Sequence, residues 1–285
     1  MYATYGGHVI IENVGAFNFK EFGINANALW RINNVFCYKN KIGLQLRSDS
    51  AVSNSEFSRG DIPINITDGG NRLTNIWCNS GKEGCLRIKP LNSSVNLRNT
   101  SISNLYIGEV YGEGNEVKPI INIEGLLVNN VQHRVFDVQI SNSFITNAEG
   151  AVSIPNDLVS IKYAENIVFS NCNFFGQGLY ASSNRYTRHA FYIENSSMIL
   201  INNCTITGIN KSSLKVQKIC SDISISNCTF NGWGQAVANG DDFICLYFSD
   251  EIYRTQIIGC NFIDSSSNLN LSLIKSYSEP NNFTF

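Results

Sequence analysis

Carboxylates stand in three polar segments of this chain: Glu109, Glu113 and Glu116 on the Gly-rich stretch 109–116, Glu149, and the adjacent pair Asp241 and Asp242. A second stretch, Gly178 to His189, mixes Tyr180 and Tyr186 with Arg185, Arg188 and His189, and Trp233 lies a few residues before the aspartate pair. Carboxyl pairs about 5–5.5 Å apart support displacement at an acetal carbon with retention, and pairs about 6.5–9.5 Å apart support inversion. Tyr and Trp rings stack on the apolar faces of sugars, while guanidinium groups hold carboxylates bidentately. The residue types therefore suit an acidic or N-acetylated oligosaccharide. Glu149, Glu113, Glu116, Asp241 and Asp242 are the candidate catalytic groups, and Tyr180, Arg185, Tyr186, Arg188, His189 and Trp233 the candidate substrate-binding ones. Plainer readings exist for each. Both long stretches also read as solvated loops or a subunit contact, Asp241-Asp242 as a capped turn before the Phe243 strand, and His189 as a hydrogen-bonded turn residue. Elimination rather than hydrolysis would need a base such as His189, Tyr186 or Arg188 beside a neutralised uronate.

What positions these residues is a repeat. The phrase Ile225-Ser226-Asn227-Cys228-Thr229-Phe230 (apolar, any, Asn, small or apolar, any, apolar) recurs around Asn13, Asn34, Asn54, Asn75, Asn104, Asn142, Asn171, Asn203 and Asn227, and once more with Gly259 at the Asn place. The steps between these anchors are 21, 20, 21, 29, 38, 29, 32, 24 and 32 residues. Periods of this size mark stacked supersecondary units. Before each anchor, as in Ile223-Ser224-Ile225-Ser226, apolar and polar residues alternate with strand periodicity. Asn tolerates the left-handed backbone region and hydrogen-bonds neighbouring peptide groups, so it suits a corner between short strands. A second apolar segment follows in each unit: 42–46, 62–66, 85–88, 120–123, 151–154, 190–193, 214–216, 243–248 and 271–274. No stretch keeps helical three-four spacing for three turns. The fold class expected is all-β, a parallel β-helix solenoid of about ten coils, roughly 45–50 Å long at about 4.8 Å per coil.

Composition bounds the rest. The 285 residues carry 15% charged side chains and a net charge of -2, so strong attraction to nucleic acid or an anionic membrane is not expected. No Pro- or Ser-rich linker interrupts the repeat, which reads as one domain, 1–285, or a fragment of a longer chain. The longest apolar run, Phe243 to Phe248, is too short to span a bilayer, and Met1 to Thr4 lack the start of a signal peptide. Nine cysteines include Cys172, Cys204, Cys228 and Cys260, each just after an anchor. They are expected to stack as a structural column, since no paired short spacing suggests a metal site. No cofactor and no metal are expected.

Segment length between the anchor strand and the next one points to a groove. Gly108 to Lys118, Phe175 to His189 and Asn231 to Asp242 are long, and leave equivalent corners on one side. The coil between the first two contributes only Thr146 to Gly150, which would put Glu149 on a floor between two walls. Glu149 and Asp242 stand three coils, about 14 Å, apart, too far for one site, whereas Glu113 or Glu116 stands about one coil spacing from Glu149.

The repeated phrase, as in Ile201-Asn202-Asn203-Cys204-Thr205-Ile206, resembles the Asn-ladder corner of right-handed, single-stranded parallel β-helix proteins of the pectin-lyase-like superfamily. Within it, the Asn- and Ser-rich, charge-poor texture is most similar to bacteriophage tailspikes. The resemblance implies binding and cleavage of a bacterial surface polysaccharide, a homotrimer, and a place on the virion tail or outside the cell; a non-catalytic β-helix that binds a glycan or serves as an adhesin or spacer stays open beside it. It covers nearly the whole chain, without the acidic segment that usually precedes the first coil of tailspikes and without a trimerising tail. Asn239-Gly240-Asp241-Asp242 and Arg87-Ile88-Lys89 are similar to polygalacturonase motifs, but in reversed order and without a Gly-His-Gly, so Arg87-Ile88-Lys89 reads as an ordinary strand. Calcium occurs in lyase-like members; no compact Asp cluster compels it here.

Overall fold

A computed structural model describes residues 8–95, 97–108, 118–147, 156–176, 187–234, 244–263, 272–276 and 283–284. Among these residues there is no helix; strands pair in parallel throughout, apart from one short hairpin. The chain is a parallel β-helix with two long faces. One face is a ten-stranded sheet: Phe22–Ala28, Ile42–Ser48, Ile62–Ile66, Leu86–Ile88, Ile121–Glu124, Val159–Lys162, Phe191–Glu194, Leu214–Gln217, Ile244–Phe248 and Ser272–Ser276. The other is a sixteen-stranded sheet whose strands either bend at the Asn anchor, as Val9–Phe17 and Trp30–Tyr38 do, or split there, as Ala164–Ser170 and Asn173–Phe175 do.

Register explains why apolar residues alternate in the sequence. Across the ten-stranded sheet, Ile24, Leu44, Ile64, Leu86, Ile121, Val159, Phe191, Leu214, Leu246 and Ile274 stand side by side, one per strand. Two residues on, Ala26, Leu46, Ile66, Ile88, Ile123, Ile161, Ile193, Val216 and Phe248 form a second column. With the exception of Ile274 these side chains are buried in a single continuous core. Phe169, Phe174 and Phe191 pack edge-to-face inside it, with ring centroids 4.6 to 5.9 Å apart.

The anchors behave as their chemistry demands. All nine Asn residues have φ between 49 and 56°, and Gly259 has φ 63°. Their amides chain together: Asn34 Nδ2 donates to Asn13 Oδ1 at 2.6 Å, Asn75 to Asn54 at 2.9 Å, Asn104 to Asn75 at 2.9 Å and Asn171 to Asn142 at 3.3 Å. Just after the anchor, three of the four expected thiols form the buried column, and Cys260 in the last of these coils is only partly buried. Cys172, Cys204 and Cys228 are buried, and their Sγ atoms donate to the carbonyls of Ser170, Asn202 and Ser226 at 3.1 to 3.3 Å. Ser55 and Ser143 fill the same place in earlier coils and donate to Ser53 O and Ser141 O, both at 2.7 Å. The thiols are thus oily stand-ins for a corner hydroxyl. All nine cysteines are free, and the described residues hold no metal-binding cluster.

Two features depart from the sequence reading. Residues 151–154 lie outside the described residues, and the strand that joins the sheet in that coil is Val159–Lys162, paired to Ile121–Glu124 and Phe191–Glu194. Both stretches alternate apolar residues; only register with the neighbouring coils separates them. The stretch between Thr146 and this strand is therefore residues 147–158, comparable in length to its neighbours, and Glu149, expected on a floor between two walls, lies outside the described residues. The second departure is an antiparallel hairpin, Leu126–Val128 with Val131–His133, turned by Asn129 and Asn130 at φ 50 and 63°. It lies within the 38-residue step between Asn104 and Asn142.

The left-handed corner yields a direct test. Asn104→Val is expected to lower the unfolding free energy by about 2–3 kcal/mol, since a β-branched residue is strained there and the amide bond is lost, whereas Asn104→Gly loses only about 1 kcal/mol. Urea midpoints of the two variants measure this, and equal losses would show that backbone conformation is not what selects Asn.

Candidate functional site

Strand alternation that sends the apolar columns inward sends one polar row outward. Asn25, Gln45, Asn65, Arg87, Asn122, Ser160, Tyr192, Lys215, Tyr247 and Lys275 occupy a single register position across all ten strands. Several are nearly inaccessible although they sit on the outer face; Gln45, Asn65 and Ser160 are 4–6% exposed. The first part of the row is wired together. Arg87 Nε donates to Asn65 Oδ1 at 2.7 Å, Asn65 Nδ2 to Gln45 Oε1 at 2.5 Å, and Gln45 Nε2 to Thr67 Oγ1 at 2.8 Å. Arg87-Ile88-Lys89 is the ordinary strand and strand end expected, with Ile88 in the core and Arg87 in the polar row. A neighbouring row alternates in charge: Lys89 pairs with Glu124 at 3.1 Å, Lys162 with Glu194 at 3.6 Å, and Lys218 also pairs with Glu194.

Midway along, the face deepens into a cleft of about 520 Å³. Lys118, Lys162, Arg188 and Lys215 bring positive charge to it, Glu124 and Asp157 negative, and Asn122, Ser160, Tyr192 and Gln217 fill between. Four strands form its floor, and the first three, Ile121–Glu124, Val159–Lys162 and Phe191–Glu194, are each preceded by a long segment. The described ends of those segments, Lys118, Asn156-Asp157 and Thr187-Arg188-His189, therefore stand at the head of the cleft. Parallel bridging holds these ends in step: Asn156 pairs with Thr187, Arg188 N donates to Asn156 O at 2.7 Å, and Leu158 N to His189 O at 2.9 Å.

At that head lies a charged triad. Arg188 Nε donates to Asp157 Oδ1 at 2.8 Å and Arg188 Nη2 donates to Oδ2, while His189 Nδ1 lies 2.8 Å from Oδ1. Asp157 and His189 are 3% and 4% exposed. Burial alone would raise the Asp157 carboxyl, but the bonds from His189 and Arg188 outweigh it and hold the group below the usual carboxylate range. Burial lowers the His189 imidazole despite the pull of Asp157. The arrangement is thus a neutral histidine donating to an ionised aspartate that a bidentate arginine clamps. Beside it, Arg188 Cζ and Lys162 Nζ lie 5.5 and 5.2 Å from the centre of the Tyr192 ring. The Tyr192 hydroxyl donates to Glu194 Oε2 at 3.0 Å and accepts from Gln217 Nε2. Burial and the adjacent Glu194 push this phenol up, while for Glu194 itself Lys218 and Lys162 overcome burial and hold the carboxyl down. Chemically, the cleft offers fixed cationic donors and ionised acceptors to a polar, anionic ligand.

Of the residues singled out from the sequence, Glu113, Glu116, Glu149, Asp241, Asp242, Tyr180, Arg185 and Tyr186 lie outside the described residues. Arg188 and His189 fall in the cleft's triad, His189 as a buried, hydrogen-bonded residue. Trp233 is 3% exposed and belongs to the core, so its indole packs inside the solenoid rather than offering a face to a sugar. Asp157, Tyr192, Lys162 and Lys215 were not singled out. Tyr192, Lys162 and Lys215 sit at outward places of strands whose apolar pattern masked them, and Asp157 was hidden by placing the strand at 151–154.

Protonation tests the triad. Asp157, depressed in the fold, stabilises above about pH 3.9, and that contribution disappears as pH falls through its folded value. His189 is depressed too, so below about pH 6.5 the unfolded chain takes up a proton that the fold refuses and stability again falls with acid. The thermal midpoint is expected to start dropping below about pH 6.5 in the native protein, but only near about pH 4 in His189→Gln. Superimposable profiles would show that His189 titrates alike in both states.

No family model matches the chain, and no curated protein does. Among solved structures it is similar to the catalytic domain of a GH87 alpha-1,3-glucanase, at 11% identity and a TM-score of 0.38, over 97% of this chain and 63% of that one. The chain thus spans less than two thirds of that structure. It is also similar to the Streptococcus pneumoniae surface protein and adhesin PfbA, at 11% identity and a TM-score of 0.34, over 95% of this chain and 92% of that one. At such scores no function passes from either protein to this one.

Proposed function

We propose that the protein binds an acidic bacterial surface polysaccharide along the outer face of the ten-stranded sheet and cleaves it by glycosidic hydrolysis, in the manner of a phage tailspike. The observation that carries the binding half is the cleft itself, where Lys118 and Lys215 line the same walls as the Tyr192 ring, together with Lys162 and Arg188, which Glu194 and Asp157 hold in place. Arg188 and Lys215 are read as partners of uronate carboxylates or other anionic substituents, and the amides of Asn122 and Gln217 as partners of hydroxyls.

The cleavage half rests on Glu149 with Glu113 or Glu116, carried by the segments 109–117 and 148–155 that lead into the cleft's strands. Neither buried carboxylate of the face is suited to donate a proton, because Asp157 and Glu194 are both held ionised by their cations. That same observation favours a second reading, a non-catalytic glycan-binding β-helix. The homotrimer and the location on a virion tail or outside the cell follow from the resemblance of the repeat and are part of the proposal.

Incubation with a panel of capsular and O-chain polysaccharides separates the readings by product mass and by absorbance of unsaturated uronates. Shortened chains without that absorbance are expected, with Tyr192→Ala weakening binding by about tenfold and Glu149→Gln cutting turnover by about a hundredfold or more. Full turnover in Glu149→Gln removes that carboxyl from the mechanism. Binding without cleavage selects the non-catalytic reading, and cleavage with the absorbance selects a lyase.

A further inference from the structure

The corner that carries the long segments in later coils is tight in the first coils, and there it gathers charge. The three-residue corners 18–20, 39–41, 59–61 and 80–82 stack on one another: Lys39 N donates to Ser58 O and Arg59 N to Asn79 O, both at 3.1 Å, and Lys82 N to Gly60 O at 2.9 Å. Their first residues, Asn18, Lys39, Arg59 and Ser80, all hold left-handed conformations, with φ from 52 to 60°. Asn40, 2% exposed, pins the floor by accepting from Phe19 N and donating to Ala16 O, both at 2.9 Å. A Cβ on Gly60 would come within 2.3 Å of Asn40 O, so the coils close tightly here and side chains can only splay outward.

What they splay over is a groove of about 780 Å³ lined by Lys20, Lys39, Lys41, Arg59 and Lys82, with Asp61 as its one carboxylate. Lys20, Lys39, Lys41 and Arg59 are exposed, and among the described residues none of the four makes an ion pair. Lys39 Nζ and Arg59 Cζ instead share the Tyr38 ring, at 5.4 and 5.7 Å from its centre. Like charges on adjacent coils repel, and lysine and arginine in the left-handed region add strain. An anion in the groove relieves the repulsion, while the strain remains as the cost of holding these side chains at the corner.

We propose that this groove is a second binding site, taking the carboxylate, sulfate or phosphate groups of an acidic polysaccharide. Its corner columns run into strands 42–48, 62–66 and 86–88, whose outward Gln45, Asn65 and Arg87 lead in one row to Asn122 and Tyr192 of the cleft. Gln45 and Asn65 are buried within that row, so its partly exposed members, Arg87, Asn122 and Tyr192, are what a ligand meets. Their mixed neutral and charged donors suit sugar hydroxyls better than a succession of phosphates, which favours a glycan over a nucleic acid. The polysaccharide nature of the ligand rests on the function proposed above; the groove's affinity for an anion does not.

Binding of polygalacturonate, neutral dextran and duplex DNA, measured by calorimetry between about 50 and about 300 mM salt, tests the site. Polygalacturonate is expected to bind, dextran to bind far more weakly at this site, and Lys20→Gln/Lys41→Gln/Arg59→Gln to weaken polygalacturonate binding about tenfold and flatten its salt dependence. Lys20→Gln/Lys41→Gln, which spares the left-handed positions, is expected to lose about threefold and serves if the triple variant fails to fold. Native affinity in that double variant overturns the proposal. If Tyr192→Ala then still weakens binding, the cleft stands without the groove; loss in the groove variants alone supports the groove and removes the cleft. Duplex DNA bound as tightly as polygalacturonate overturns the glycan assignment. So does polygalacturonate binding that appears only after Glu109, Glu113 and Glu116 are changed to Gln, since the groove's anion would then be the protein's own.

Discussion

Each coil satisfies its backbone through the coils on either side, so every corner must repeat the conformation of the one before it. That constraint explains the anchors. A left-handed residue recurring at the same place needs a side chain that tolerates the conformation and can bond to its copy in the next coil, and asparagine meets both needs. Gly259 meets only the first. A Cβ there would lie 2.6 Å from Asn227 Oδ1, so at that step the ladder gives up its amide and keeps its backbone. The same constraint lets cysteine and serine alternate just after the anchor, because either can donate to the carbonyl two residues back.

Legibility followed this regularity. Asn and the apolar alternation around it are local signals repeated many times, so the solenoid, its anchors and its thiol column were readable from residues alone. The strand at 159–162 was not, because 151–154 alternates equally well and only the partners Ile121 and Phe191 decide between them. Tyr192 and Lys215 were unreadable for a subtler reason. They occupy the outward half of a pattern whose inward half explains it fully, and their importance comes from standing side by side across coils far apart in sequence. Arg188 and His189 were noticed because they cluster in sequence as well as in space. Trp233 was misjudged because an aromatic near polar residues looks exposed, whereas the coil folds it into the core.

Charge shows how an average can conceal a distribution. A net charge of -2 suggests indifference to anions, yet the carboxylates and cations are not interspersed evenly. Along the later strands they alternate and neutralise, as in Lys89, Glu124, Lys162 and Glu194, which makes that row stiff rather than sticky. At the first corners the cations stand together. Two neighbouring parts of one surface thus use the same residue types for opposite ends, one to fix a scaffold and the other to leave a field directed at solvent.

The direction of the hydrogen bonds has a mechanical consequence. In a parallel stack the ladder bonds point along the rod, from coil to coil, while the covalent chain winds around it. Tension applied along the rod therefore loads every inter-coil ladder with the same force, and the stack gives way at its weakest ladder, each lost coil releasing between 20 and 38 residues of chain. Pressure across the rod meets the covalent winding and the packed columns inside it, which yield far less. Such a body is a strut in compression and a zipper in tension, with its softest direction set by the same bonds that make its corners uniform.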